Sequence, residues 1–592
     1  MENTTYLNRY QEWLEFEELQ PELREELESI RGNDKEIYER FYQDLTFGTG
    51  GLRGILGAGT NRMNIYTVRR ATAGLALYLL SNHGGEAQQR GVVIAYDSRA
   101  YSQRFAQEAA LTLNSFGIRT YVFDYLTPTP ELSFAVNYRQ AIAGIVITAS
   151  HNPKEYNGYK VYNEYGCQIT GEMAEGILEY INHYQELEDL PMMLRYETAC
   201  ERDLYHVIGD VYHQAYQNAV LQQALLHDSA AKEDLKVVYT PLHGTGMIPV
   251  TGVLDKDGFT QIHVLESQKE PDSAFSTVRS PNPEEKDALQ LAIAYAAEIG
   301  ADLVLGTDPD ADRVGIAVWN GNEYILLTGN QTGALLADYV LSRKELEDNA
   351  VVIKTIVTSE LGADIANAHG AEVMNVLTGF KYIGEKMIGF DKNSDHTFIM
   401  GYEESYGYLV GNHAKDKDAV VASMLICEMA AYQKAQGKTL LERLEELYQE
   451  HGYYKEALDS FTLPGADGQE RIAAIMADLR ARELNEIGGQ AIAEVKDYKN
   501  GIDDLPKADV LKYFFVSGGW MAVRPSGTEP KIKFYYFEKT LENFRKTMYN
   551  RILVIFMVDK TIKSNSSTKR SARNYEITFR RIYNGKIMGW PV

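Results

Sequence analysis

Apolar positions follow two rhythms along the chain. Near the start, Trp13, Phe16 and Leu19 recur at three-residue steps in an acidic background, and Pro21 suits the first turn of a second helix, so the first forty residues read as helical. From residue 91 short apolar runs take over: 91–96 (GVVIAY), 120–123, 141–148 (AIAGIVIT), 235–239 (LKVVY), 301–306 (ADLVLG), 351–357 and 396–401 (HTFIMG). Amphipathic stretches such as Ser102 to Phe116 separate them. This strand–helix–strand spacing predicts largely parallel sheets covered by helices on both faces. The pattern occurs three times, each time with unusual residues just after an apolar strand, the edge where α/β sheets bind ligands. It predicts a structural repeat, although no repeat is visible residue by residue. Beyond the charged helix expected at Thr439 to Glu450, polar helices and short strands alternate. They end in strands at 520–523 and 532–537 around a turn, Arg524 to Thr528, which reads as a smaller α+β domain. The expected boundaries are a helical segment 1–40, α/β domains 41–205, 206–325 and 326–452, an α+β domain 453–538, and a tail 539–592.

Size and charge narrow the class. A chain of 592 residues accommodates about four domains, each with its own core. A net charge of −24 argues against nucleic-acid binding, which needs a basic surface. Three cysteines, Cys167, Cys200 and Cys427, show no paired spacing, which argues against a disulfide framework or cysteine zinc site and suits a reducing cytoplasm. Met1 to Ile30 lacks a signal-peptide pattern, and no run approaches the ~20 apolar residues of a membrane span. A cytoplasmic protein without membrane or nucleic-acid partners is expected.

Four segments carry candidate chemistry. Ser150, in Thr148-Ala149-Ser150-His151-Asn152-Pro153, sits at a strand end on a sharp turn that would present its hydroxyl outward; an ordinary cap and a nucleophile fit equally, and the Gly-x-Ser-x-Gly elbow is absent. Asp308, Asp310 and Asp312 alternate on a loop after an apolar strand, where three carboxylates would repel one another without a cation; hard oxygen ligands suit Mg²⁺ or Mn²⁺, and a solvated acidic turn is the weaker alternative. A calcium EF-hand fails, because Arg313 and Trp319 stand where that loop needs Gly and Glu. Arg313 could fork phosphate oxygens. Glu403 and Ser405 could face sugar hydroxyls, and Arg524, Ser526, Gly527 and Thr528 could cradle a phosphate.

In order, GTGGLRG (48–54), TASHNPKEYNGYK (148–160), TPLHGTG (240–246), DPDADR (308–313), TGFKYIG (378–384), YEESYG (402–407) and RPSGTEPK (524–531) resemble the α-D-phosphohexomutase superfamily, in its longer bacterial phosphoglucomutase branch, from about Phe47 to Phe537. The resemblance implies three similar α/β domains with mixed sheets and a smaller α+β C-terminal domain around a central cleft. It implies a phosphoserine at Ser150, and one Mg²⁺ held by Asp308, Asp310, Asp312 and a phosphate oxygen on Ser150. His151 and Lys160 would serve catalysis, with Lys417 a further candidate base. Arg53, Arg313, Thr378, Gly379, Lys381, Glu403, Ser405, Lys417, Arg524, Ser526, Gly527 and Thr528 would bind substrate, although the spacing to Lys417 is one residue longer than usual. The implied reaction interconverts glucose 1-phosphate and glucose 6-phosphate through glucose 1,6-bisphosphate, in a monomer or weak homodimer. Phosphomannomutase or phosphopentomutase activity is the nearest alternative; a phosphatase or a silent sugar-phosphate sensor is more distant. Residues 539–592 depart from the family, with twelve Lys+Arg against three Asp+Glu, a balance of +9. They read as an out-of-frame or unpacked appendage, or else as a basic tail for an acidic partner or membrane surface.

Overall fold

A computed structural model describes residues 5–48, 50–463, 467–526 and 531–540. It forms two units, divided between His451 and Gly452.

The first unit contains three mixed sheets. The first has six strands in the order Gly51–Ile55, Tyr156–Tyr162, Ala143–Ile147, Val92–Tyr96, Thr120–Phe123 and Tyr205–Ile208. Its central strands, AGIVI and VVIAY, are buried along their whole length, which explains why they read as unbroken apolar runs. Tyr205–Ile208 pairs with Thr120–Phe123, so this sheet continues past residue 205, where the first α/β domain was expected to end. The second sheet runs Tyr324–Leu326, Val314–Trp319, Leu303–Thr307, Val237–Thr240, Ile262–Val264. The third runs Glu372–Val376, Ala350–Thr355, Thr397–Glu403, Gly407–Val410.

One device recurs in all three. A strand of the parallel set turns back on itself and pairs antiparallel with the next strand: 143–147 with 156–162, 303–307 with 314–319, and 397–403 with 407–410. The three loops expected to carry chemistry are the tips of these hairpins. The sheets are therefore mixed where sequence spacing alone predicts largely parallel ones, because a short return loop can only join antiparallel neighbours.

The N-terminal helices are Thr5–Glu15, Pro21–Ser29 and Asp34–Phe41. The first stops at Glu15, so Phe16 and Leu19 lie on the connection before Pro21 rather than on the helix that their spacing suggests. Tyr10, Trp13, Leu27, Ile37 and Phe41 share one core cluster with Ile94, Phe105 and Ile145 of the first sheet and its helices. The indole of Trp13 meets Phe41 and Tyr66 edge-on at 5.8 and 5.6 Å.

In the second unit an antiparallel sheet, Tyr453–Thr462, Lys531–Thr540, Trp520–Pro525, Leu511–Phe515, Gln490–Asp497 and Glu486–Ile487, packs against the helix Asp467–Ala481 through Ile472, Ile475 and Met476. The last strand continues three residues beyond Phe537. Gly527, Thr528 and all of the basic tail after Thr540 lie outside the described residues. No helix among the described residues is long and apolar enough to cross a membrane.

Because Trp13 is built into the core of the first unit, Trp13→Ala should destabilise that unit by about 3–5 kcal/mol. Urea unfolding of the full chain checks this; a change below ~1 kcal/mol would mean that the helices are a detachable appendage.

Candidate active site

The three hairpin tips converge in the first unit. Ser150 opens the first. It adopts the left-handed conformation, φ 52°, and its N–H donates to Thr148 Oγ1 at 2.8 Å. Its hydroxyl does not point outward as the sharp turn suggested. The residue is 3% exposed, and Oγ donates to Asp308 Oδ2 at 2.6 Å. His151 Nδ1 lies 3.1 Å from the same Oγ.

The second tip carries the acidic trio, all three residues buried, with ligand oxygens within 4.8 Å of one another. Asp308 Oδ1 accepts the N–H groups of Asp312 and Arg313 at 3.1 and 3.0 Å, closing the loop on itself. Asp310 Oδ2 accepts from Lys160 Nζ at 2.8 Å and from Thr129 Oγ1 at 2.9 Å. Asp312 Oδ2 pairs with Lys417 Nζ at 2.9 Å and Lys160 Nζ at 3.3 Å. The remaining oxygens, Asp310 Oδ1 and Asp312 Oδ1, are buried without a hydrogen-bond partner. Burial and the charges of Asp312 and Asp310 push the Asp308 carboxyl well above the usual carboxylate range. Burial opposes ionisation of Asp312 too, but Lys417, Lys160 and Arg313 outweigh it and hold that carboxyl low. Buried carboxylates with oxygens lacking donors fit a hard divalent cation, so the trio can hold a metal ion.

The TPLHGTG segment backs this loop. Thr245 N–H donates to Pro309 O at 2.8 Å, and a Cβ on Gly244 would stand 2.4 Å from Pro309 Cα, so only glycine permits the approach.

The third tip ends in Glu403, the last residue of its strand. Its Oε1 accepts the N–H of Gly379 at 2.8 Å, joining YEESYG to TGFKYIG. Burial raises the Glu403 pKa, with Lys417 and Arg313 opposing. Ser405 O accepts from Arg313 Nη1 at 3.1 Å, and Arg313 also pairs with Glu284. Lys417 reaches Asp312 despite its extra spacing. Burial lowers the pKa of the Lys381 ammonium to about 8. Thr378 is half-buried beside Gly379, and Arg53 Nη1 donates to Asn152 Oδ1 at 3.2 Å. In the second unit, Arg524 Nε donates to Tyr535 Oη at 3.2 Å and Ser526 N–H to Lys531 O at 2.7 Å.

Sequence reasoning missed Arg99, Asp97, Thr129 and Glu284. Arg99 is fully buried beneath the Ser150 turn. The available signal was Asp97-Ser98-Arg99 directly after the apolar strand Val92–Tyr96, the same placement as the other motifs.

A serine hydroxyl on a buried acidic trio, at the meeting point of three α/β repeats, defines a multidomain α/β phosphotransferase. Family models for phosphoglucomutase/phosphomannomutase match in four consecutive pieces: alpha/beta/alpha domain I over residues 44–188, domain II over 214–321, domain III over 328–451, and the C-terminal domain over 469–543. The chain belongs to the phosphoglucomutase/phosphomannomutase family. A phosphoglucomutase of Staphylococcus haemolyticus is 39% identical over 528 residues, spanning 86% of this chain and 94% of its own. One from Staphylococcus aureus strain MRSA252 is 38% identical over 517 residues, or 85% and 91%. The fold is shared with a putative phosphomannomutase from Thermus thermophilus, with a TM-score of 0.65, 22% identity, and coverage of 87% of this chain and 99% of that one. The C-terminal match runs past Phe537, where the resemblance was expected to stop, in keeping with the longer strand.

Asp308→Asn keeps an acceptor for the two backbone N–H groups and a group to meet Ser150. Titration with Mn²⁺, followed by the paramagnetic signal of the free ion, should show roughly 100-fold weaker binding or more, with the metal-free melting temperature unchanged or raised.

Proposed function

We propose that the chain is a phosphoglucomutase that interconverts α-D-glucose 1-phosphate and glucose 6-phosphate through a phosphoserine at Ser150 and a glucose 1,6-bisphosphate intermediate. The observation that carries this reading is the 2.6 Å contact from Ser150 Oγ to Asp308 within the trio. A phosphoryl group on that oxygen would lie against the metal ligands. Asp308, Asp310, Asp312 and the phosphoserine would hold Mg²⁺, which when bound neutralises charge on the phosphoryl oxygens and polarises the phosphorus.

In the first half-reaction the Ser150 Oγ–P bond breaks and a P–O6 bond forms, while the O6 proton passes to a base. We assign that base to His151, whose ring adjoins Oγ. Lys160 is already shared between Asp310 and Asp312, which suits it to steadying transferred charge. Lys417 does the same from the other side. In the second half-reaction the O1–P bond breaks, the phosphoryl group returns to Ser150 and O1 takes up the proton. Glu403 and Ser405 would read the ring hydroxyls. Thr378, Gly379, Lys381, Arg313 and Arg53 would line the sugar and its phosphates, and by the same resemblance Arg524, Ser526, Gly527 and Thr528 of the second unit would bind phosphate.

The test follows α-glucose 1-phosphate by ³¹P NMR with Mg²⁺ and a trace of glucose 1,6-bisphosphate. Glucose 6-phosphate should accumulate, and Ser150→Ala should lower turnover about 10³-fold or more. Faster conversion of mannose or ribose 1-phosphate would reassign the substrate; inorganic phosphate without isomerised sugar would overturn the mutase reading.

Lys381 gives a pH signature. Its ammonium is present below its pKa of about 8 and lost above it, so KM for glucose 1-phosphate should rise from about pH 8 upward. In Lys381→Arg the charge persists, and that rise in KM should vanish.

A further inference from the structure

We propose that Arg99 is the positioning residue that holds Ser150 for phosphoryl transfer, an inference that rests on the phosphoserine reading above. Its guanidinium has no solvent exposure and serves four carbonyls of one turn. Nη2 donates to the carbonyls of Ser150 and Asn152, and Nη1 to Pro153 O at 2.9 Å and Tyr156 O at 3.1 Å. Nε faces Asp97 Oδ2 at 3.3 Å. Asp97 in turn accepts from Thr148 Oγ1 at 2.7 Å, and Thr148 Oγ1 accepts the Ser150 N–H at 2.8 Å. The carbonyl and the N–H of Ser150 therefore both lead back to one buried ion pair. From the second α/β domain, the Phe275 ring lies 5.0 Å from the guanidinium carbon, and Ser280 Oγ donates to His151 O at 3.1 Å.

The geometry explains why this residue is an arginine. Ser150 adopts φ 52°, a conformation that a side chain with a Cβ disfavours, and it needs outside restraint. A planar fork with donors on two nitrogens can meet four carbonyls in a fixed arrangement; a lysine ammonium has three donors at one point. In-line transfer is sensitive to displacement, a shift of about 1 Å costing roughly 100-fold in rate. Arg99 lies buried under the turn, its guanidinium engaged with these carbonyls and with Asp97. It acts by fixing where Oγ stands relative to Asp308 and the incoming hydroxyl.

The test compares the wild type, Arg99→Lys and Arg99→Gly in the full-length protein, on whichever sugar 1-phosphate the wild type isomerises. Arg99→Lys should lower kcat about 100-fold while KM stays within threefold, because the sugar-facing side chains are untouched. The rate at which glucose 1,6-bisphosphate phosphorylates Ser150, read by intact mass, should fall in parallel, with Mn²⁺ affinity unchanged. Millimolar guanidinium should restore part of the activity of Arg99→Gly, and methylammonium should not. A kcat for Arg99→Lys within threefold of the wild type overturns the proposal. So does a loss matched by equal losses of folded fraction and Mn²⁺ affinity, which would make Arg99 a stability residue only. A wild type that isomerises no sugar phosphate instead overturns the phosphomutase reading and is seen before any variant is made.

Discussion

Three buried carboxylates crowd one loop tip, and the surrounding architecture is a response to their repulsion. At low effective dielectric, like charges a few ångströms apart oppose each other by several kcal/mol, so the loop persists only if cations come to it. They come from separate repeats: Lys160 from the strand after the Ser150 turn, Lys417 from the segment after the Glu403 hairpin, and Arg313 from the acidic loop itself. Backbone contacts follow the same lines. Thr129 N–H donates to Asp310 O, Ala419 N–H to Ala311 O, and Val314 N–H to Tyr406 O. The ion pairs that make the acidic loop tolerable also lock three sheets into one unit.

What the sequence disclosed, and what it concealed, follows from the range of each interaction. The acidic trio, the serine turn and Glu403 were legible because each is a local run of polar residues after a buried strand, and strand burial shows as apolar continuity. The N-terminal helices were legible in kind, but the stop at Glu15 was not, because Phe16 and Leu19 are buried by the tertiary core on a connection whose spacing imitates a helix. Lys417 was in doubt on spacing alone; the segment after residue 410 absorbs the extra residue while the ammonium still reaches Asp312. Arg99 showed only as a polar residue soon after an apolar strand, because its partners lie some fifty residues away in sequence and are carbonyls, which leave no mark on residue type. The direction of the Ser150 hydroxyl was misjudged for a similar reason, since its acceptor belongs to another sheet.

In the second unit, aromatic neighbours hold the strand that ends at Pro525. Arg524 leaves the strand Trp520–Pro525 with Nε on Tyr535, which belongs to the neighbouring strand and is 4% exposed. Trp520 stacks on Phe537 at 5.2 Å in the same strand pair. Lys531–Thr540 pairs with Tyr453–Thr462 along its whole length and with Trp520–Pro525 from Ile532 to Phe537.

The three hairpins also solve one backbone problem in three ways. Their loops span residues 148–155, 308–313 and 404–406, and each places one non-glycine residue in the left-handed region: Ser150, Ala311 and Tyr406. The shortest is served by the acidic hairpin beside it, Arg313 Nη1 donating to Ser405 O and Val314 N–H to Tyr406 O. The middle one satisfies itself, Asp308 accepting the N–H groups at its far end. The longest draws on a buried guanidinium from a neighbouring strand end, which takes three of its carbonyls, Ser150, Asn152 and Pro153, and that of Tyr156 at the start of the next strand. Backbone groups that a loop does not satisfy itself are met by the element packed against it. Beneath the serine turn a single fully buried guanidinium gathers these carbonyls, so the restraint on Ser150 comes from the scaffold rather than from its own loop.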